Sequence, residues 1–461
     1  MRSKSRLRNM LLKSVATFSV LAVTAGGAYA HSLNQSLVDA YNHSNILEQN
    51  RALLRAADED VASAVSGLRP QISAQAQVFH TDPTDGIGND SLFQTIDLTA
   101  SLLLYDFGRT RFGVEAAKET VLATRANLVN VEQQVLLTAV QAYVAVLRDS
   151  RVVRLGESNL RLIAEELRAA QDRFDVGEVT RTDVAQAEAR LAEARGSLAD
   201  SIGNLDISKA AFLAATGENH GVDLDNITTL PPLPASVEAA RDLGVRSSPS
   251  VLQAQHQIRA NEFTAAAAKA AQRPSLTGSA TVGNSSTNNT NSTVGLTLNI
   301  PIYQGGQLTA LHRRAIANVH ASRAALNQSV LIVRQNVSNA WSQLSIARAQ
   351  VVASERQIRA AQVAFDGVRE EAKLGARTTL DVLDEEQALL DARTNGIVFQ
   401  TQVYEAAYTL LSSMGRLTAE HLNLPVKRYD PSEYFNAVKS APVPVTKQGK
   451  SLSRILKRYE K

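Results

Sequence analysis

Residues 95–104 read Thr95-Ile96-Asp97-Leu98-Thr99-Ala100-Ser101-Leu102-Leu103-Leu104, and Tyr105-Asp106-Phe107-Gly108 follow. Ile96, Leu98, Ala100, Leu102 and Leu104 are apolar, with Thr95, Asp97, Thr99 and Ser101 set between them. That period of two marks a strand with one apolar and one polar face. A shift of 198 positions lands on Thr293 to Ile302, where Val294, Leu296, Leu298, Ile300 and Ile302 alternate with Thr293, Gly295, Thr297 and Asn299. The same shift lays Leu104-Tyr105 over Ile302-Tyr303, Gly177 over Gly375, Asp183-Val184 over Asp381-Val382 and Gly217 over Gly415. Upstream, Leu68-Arg69-Pro70-Gln71-Ile72 is echoed by Gln272-Arg273-Pro274-Ser275-Leu276 at a shift of 204, which puts six extra residues in a loop of the first copy. The chain is a tandem duplication.

Two more segments share the period of two. Ile72, Ala74, Ala76 and Val78 alternate with Gln71, Ser73, Gln75 and Gln77, while Leu276, Ala280 and Val282 alternate with Ser275, Thr277, Ser279 and Thr281. Polar turn-formers join each pair, Thr81 to Asp90 in one copy and Asn284 to Ser292 in the other, so two hairpins are expected. Strands of roughly ten residues suit a tilted crossing of a bilayer. Four strands do not close a barrel, and open edges in lipid leave backbone groups unsatisfied, so several chains must share one barrel.

Proline is absent between Pro83 and Pro231 and again between Pro301 and Pro425, and both stretches are rich in Ala, Leu, Gln, Glu and Arg. Such residues lose little side-chain freedom in a helix. The first helical hairpin is expected from about Gly108 to Phe174, with a break at Val176-Gly177-Glu178-Val179 and a return arm capped by Thr180 or Thr182 and ending at Gly217. The second runs from about Gln307 to Lys373 and breaks at Leu374-Gly375-Ala376-Arg377. Single shorter helices are expected at about Leu33 to Leu68 and Val251 to Gln272. Apolar positions recur on the long arms (Val135, Leu136, Val140, Tyr143, Val144, Leu147) as a narrow stripe that needs neighbouring helices to cover it.

Residues 1–30 have the form of a secretory signal peptide: basic Arg2, Lys4, Arg6 and Arg8, an apolar run to Val23, and Ala28-Tyr29-Ala30 as a cleavage pattern. Beyond it the chain carries 43 basic against 45 acidic residues, which gives no nucleic-acid footprint. The absence of cysteine excludes disulfides and thiolate metal sites. The eight histidines have no ligand spacing, Gly86-Ile87-Gly88 lacks the setting of a nucleotide fold, and no nucleophile, base and orienting group fall together. No cofactor and no enzymatic activity are expected. After the signal no run of about 18 apolar residues occurs, so any membrane crossing must be made by strands.

With these features the chain resembles the TolC family of outer-membrane ducts over nearly all of its mature length. The resemblance rests on Leu298-Asn299-Ile300-Pro301-Ile302-Tyr303-Gln304-Gly305-Gly306, on Leu104-Tyr105-Asp106-Phe107-Gly108, and on two hairpin tips. The tips are Arg173-Phe174-Asp175-Val176-Gly177 to Thr182-Asp183-Val184, and Leu374-Gly375-Ala376-Arg377-Thr378-Thr379-Leu380-Asp381-Val382-Leu383-Asp384. It implies an α+β fold, a homotrimeric α/β-barrel duct in which each protomer gives four transmembrane strands and long antiparallel helical hairpins. The implied place is the outer membrane of a Gram-negative bacterium, extending into the periplasm. The implied function is the outer-membrane channel of a tripartite export system, type I secretion, multidrug efflux or both, passing proteins or small toxic compounds. Its implied partners are outer-membrane lipid, a periplasmic adaptor (membrane fusion) protein and an inner-membrane ABC or RND-type transporter. A non-conducting, periplasm-spanning coiled-coil protein is the alternative; it explains the helices but not four amphipathic strands repeated in register.

By motif position the resemblance implies an acidic periplasmic aperture at Asp381 and Asp384 and an aperture latch between Asp183 and Arg377. Ala372 stands where the family's latch has a tyrosine. Adaptor docking falls on Val176, Gly177, Glu178 and Val179 and on Leu374, Gly375 and Ala376. The expected division is a signal peptide (1–30), a first repeat (31–217), a linker or equatorial region (218–243), a second repeat (244–415) and a C-terminal equatorial region with a basic tail (416–461). That tail, with Lys447, Lys450, Arg454, Lys457, Arg458 and Lys461, reads as a mobile solvated end.

Overall fold

A computed structural model describes residues 31–81, 91–217, 224–227, 229–285, 290–444 and 446–459. The expected signal peptide and Gly86-Ile87-Gly88 lie outside the described residues. The elements run α1 (Leu33–His43), α2 (Asn45–Ser66), β1 (Gln71–Thr81), β2 (Ser91–Tyr105), α3 (Arg109–Asp175) and α4 (Arg181–Thr216). The second half follows as α5 (Val237–Ser247), α6 (Pro249–Ala270), β3 (Ser275–Ser285), β4 (Thr290–Asn299), α7 (Gln307–Lys373) and α8 (Thr379–Ser413), and α9 (Pro431–Val438) and α10 (Lys447–Tyr459) close the chain.

The strands form one antiparallel sheet in the order β1-β2-β3-β4. Its register gathers the alternating residues into rows. Ile72 pairs with Ala100, Ala100 with Ala280 and Ala280 with Val294, while Ser73 pairs with Thr99, Thr99 with Thr281 and Thr281 with Thr293. One face is therefore apolar and the other hydroxyl-rich, and the Thr99 and Thr281 hydroxyls meet at 3.2 Å. Ile72, Ile96, Leu98, Val294, Leu296 and Leu298 are all exposed. β1 and β4 are edges with no second neighbouring strand among the described residues.

α3 and α7 have 67 residues each, about 100 Å at about 1.5 Å per residue. Each begins after a glycine in the left-handed region, Gly108 (φ 85°) and Gly306 (φ 84°). At α3 the Asp106 carboxylate accepts from the Gly108 and Thr110 backbone N–H groups at 3.0 and 2.7 Å, capping the helix. α3 packs on α2, α4, α6 and α8, whereas α7 packs on α5, α6 and α8. The main core lies midway along these helices and includes Leu37, Leu136, Tyr143, Leu147, Leu410, Leu411, Met414 and Leu417. There the buried Tyr143 hydroxyl hydrogen-bonds to the carbonyls of His31 and Asp225 at 2.9 and 2.7 Å, tying the start of the described chain and the inter-repeat segment to α3.

Three expectations are corrected. The helix expected over 33–68 is broken at Ser44, whose extended backbone ends α1 and whose hydroxyl accepts the Leu47 N–H at 3.2 Å to start α2. The helix expected at about Val251 to Gln272 is present as α6, but a helix that was not expected, α5, precedes it with a break at Ser248. Lys447–Tyr459, expected as part of a mobile solvated end, forms the helix α10.

Candidate functional site

The two hairpin tips are the same turn built twice. α3 ends with the Gly177 N–H donating to the Phe174 carbonyl and the Glu178 N–H to Arg173, both at 2.9 Å. α7 ends with Gly375 donating to Ala372 at 3.1 Å and Ala376 to Glu371 at 3.0 Å. This is the Schellman pattern, which needs a left-handed residue, and Gly177 (φ 81°) and Gly375 (φ 76°) provide it. A side chain at either glycine would meet nothing within 4 Å, so backbone geometry and not crowding demands glycine there. Val176 is 72% exposed and Leu374 85%, so each turn presents one bare apolar side chain at its end.

The return helices start with matched capping boxes. Thr180 caps α4, its N–H donating to the Asp183 carboxylate at 2.8 Å, and Thr378 caps α8 with the equivalent bond to Asp381 at 2.9 Å. Hydrogen bonds from Thr180, hydroxyl first, hold the Asp183 carboxyl below the usual carboxylate range. The Thr378 N–H and then its hydroxyl do the same for Asp381. Both aspartates are therefore part of the turn as well as candidate gate residues.

Arg377 donates to Glu371 of its own tip at 2.9 Å, and the bond raises its pKa. No ion pair joins Arg377 to Asp183 among the described residues. Asp384 pairs with Arg190 at 2.6 Å, which links α8 to α4 and hence one hairpin to the other. A second link, Arg369 to Glu166 at 3.0 Å, joins α7 to α3. Ala372 is buried with Phe365, Val382 and Leu389, so the position where the resemblance implied a latch tyrosine belongs to a small apolar cluster.

Between these links sits Glu386, only 3% exposed, and neither of its carboxylate oxygens has a hydrogen-bond partner among the described residues. Burial, then the negative charge of Glu166, pushes its pKa up to about 8, against the opposing pull of Arg369 and Arg190. It lines a cavity of about 220 Å³ with Ile163, Arg190, Leu383 and Gln387.

The sequence reading missed Arg190, Glu166, Arg369 and Glu386. A signal was available for three of them: at a shift of 198 they face Ala388, Ala364 and Gln171, charged residues present in one copy alone. Glu386 faces Glu188, which is exposed, so identity gave no hint of its burial. Among the described residues no three His, Cys, Asp or Glu side chains are placed to hold a metal, and no helix is long and apolar enough to cross a membrane.

The family described as "Outer membrane efflux protein" matches residues 37–218 and 245–416, one match on each copy of the sheet hairpin and helical hairpin. The chain belongs to the outer membrane efflux protein family. It is 35% identical over 438 residues to the outer membrane efflux protein BepC of Brucella suis biovar 1, covering 93% of this chain and 95% of that one. To the outer membrane protein TolC of Escherichia coli K12 it is 24% identical, over 85% of this chain and 86% of the relative. The CmeC outer membrane channel of Campylobacter jejuni superposes with a TM-score of 0.75 at 15% identity, over 89% of this chain and 90% of CmeC, a likeness of fold. This outer membrane efflux protein is thus a transport protein, not an enzyme. It is an outer-membrane channel of efflux and secretion systems, with an α+β TolC-like fold reaching into the periplasm.

Proposed function

We propose that three copies of this chain close one duct and deliver cargo from an inner-membrane transporter to the exterior. The observation that carries this reading is the open sheet, whose β1 and β4 edges lack partners among the described residues although its apolar face is exposed. In lipid each unsatisfied backbone group costs several kcal/mol, so β4 of one copy must pair with β1 of the next. Three four-stranded sheets then make a twelve-stranded barrel. The repeats 31–217 and 244–415 supply the wall, and 218–243 and 416–461 supply the equatorial region.

The tips meet a periplasmic adaptor through Val176, Gly177, Glu178 and Val179 and through Leu374, Gly375 and Ala376, with an ABC or RND-type transporter below. Asp381 and Asp384 ring the aperture, and Asp183 and Arg377 latch it across neighbouring hairpins. Thr378 favours the ionised form of Asp381, which keeps such a ring charged and cation-attracting. Closing the latch exchanges the Glu371 partner of Arg377 for an acid on another hairpin.

The test is purification from the outer-membrane fraction, followed by electrophoresis with and without heating and by planar-bilayer recording. A heat-dissociable trimer that conducts ions supports the duct. A monomer, or a trimer without conductance, supports a structural spacer.

A further inference from the structure

The C-terminal segment climbs α2 in three steps. The Tyr434 hydroxyl donates to Glu59 at 2.6 Å, Val438 is buried against Ala62, and the Arg69 guanidinium donates to the Ala441 carbonyl at 2.6 Å and to the Ser440 carbonyl. Residue numbers rise together along both partners, and β1 starts at Gln71, two residues past Arg69. Residues 440–441 therefore sit at the foot of the sheet. That level is also the periplasmic boundary of the membrane, because Tyr105 and Tyr303 are exposed at the helix side of β2 and β4, where interfacial aromatic residues gather.

α10 begins only six residues after Ala441 and is about 20 Å long for its 13 residues. Lys447, Lys450, Arg454 and Lys457 fall within roughly 80° of one another at about 100° per residue, a single basic stripe. All four are exposed, and none of them has an ion-pair partner among the described residues. Leu452 lies on the opposite side and packs against the Ala62, Tyr434 and Val438 cluster. The apolar side thus holds α10 to the protein while the basic stripe faces away from it. The helix from 447 to 459 contains no acidic residue.

We propose that α10 binds anionic phospholipid headgroups at the periplasmic leaflet of the outer membrane, fixing the duct's height and tilt. The partner follows from charge and position. A stripe of lysine and arginine held at a membrane boundary meets phosphate-bearing headgroups, and a juxtamembrane basic cluster of this size is a recognised form of attraction to an anionic surface. This goes beyond the conduction path and rests only on the sheet crossing the outer membrane.

The chain has no native cysteine, so Ser453→Cys at the border of the basic stripe offers one labelling position for a nitroxide. The full-length protein is placed in nanodiscs of phosphatidylcholine alone or with phosphatidylglycerol added. With phosphatidylglycerol, the label's mobility and its accessibility to a water-soluble nickel chelate fall, and high salt restores both. The quadruple variant K447Q/K450Q/R454Q/K457Q loses this lipid dependence while single-channel conductance stays at the wild-type value. Identical spectra in the two kinds of disc overturn the proposal. So does a spectrum that responds to added peptidoglycan sacculi and not to phosphatidylglycerol. If the quadruple variant does not assemble, the lipid comparison on the otherwise unchanged chain decides.

Discussion

The first and second hairpin tips have the same backbone and different chemistry. Both close with a Schellman turn on glycine and reopen with a Thr–Asp capping box, Thr180 with Asp183 and Thr378 with Asp381. Where the second tip has Arg377 and Asp384, the first has Val179 and Gln186. Burial diverges too, since Glu386 is enclosed and its counterpart Glu188 is exposed. Shared residues make the turn, and the residues that differ set charge and contacts. A residue kept in both copies is thus explained first by geometry, and one kept in a single copy calls for a reason of its own.

The largest expected effect tests the charge difference directly. Arg377→Ser should raise single-channel conductance several-fold in planar bilayers, and Val179→Ser should leave it unchanged. Equal conductance for both variants and the wild type would mean that the second tip is not the latch. Asp183→Ala should also raise conductance, but it removes a helix cap as well, so loss of helix content by circular dichroism must be measured beside it.

Next comes the buried carboxyl. The folded pKa of Glu386, about 8, lies above its ordinary value of 4.5, so the folded state holds a proton that the unfolded state has released. Its contribution is most favourable below about pH 4.5 and declines as pH rises towards about 8, by about 1.4 kcal/mol per unit. Glu386→Gln should flatten the pH dependence of helix melting across that window and raise stability at its alkaline end. Glu188→Gln should change neither. A slope that survives Glu386→Gln would assign the proton to another group.

Smaller again is the cost of the turns. Gly177→Ala and Gly375→Ala each force an alanine into the left-handed region, at about 1–2 kcal/mol. Because neither site is crowded, the two losses should agree. Gly217 and Gly415 differ, since a side chain there would collide with the His43 ring and with the Ser247 backbone. A Gly375→Ala cost well above that of Gly177→Ala would show that the second tip is packed in the assembled protein and the first is not.

Most of the fold was legible because each signal occurs twice and follows a short period. α7 has the expected bounds and α3 begins and ends within a residue of them, since left-handed glycines and missing prolines mark where helices of this length stop. The strands and their two hairpins followed from alternation, whereas the β2–β3 pairing that joins the copies into one sheet has no local sign. The breaks at Ser44 and Ser248 carry local signals that were passed over, since serine is a preferred N-cap and Pro249 stands at the first turn of α6. α10 was read as a tail because its charge outweighs its apolar residues; Leu452 has a partner only once the chain has climbed α2. At the site, the Thr–Asp caps were visible as spacing, while the enclosure of Glu386 depends on four helices converging and has no local sign.

The links between the hairpins give the smallest effect and the finest discrimination. Arg190 and Asp384 meet at 2.6 Å, but Asp384 is more than half exposed, so solvent screens the pair and a double-mutant cycle should return about 0.2–1 kcal/mol. If Asp384 faces a lumen ring of like charges in the trimer, Arg190 also offsets their mutual repulsion. Arg190→Ala should then strengthen block by multivalent cations, because three uncompensated carboxylates attract them more strongly, while Asp384→Asn should weaken it. Opposite shifts of block with near-equal, small losses of stability are the signature of an aperture residue held by its neighbour. If both variants leave block unchanged, the Arg190–Asp384 pair merely joins two hairpins, and the cation site must be built by Asp381 alone.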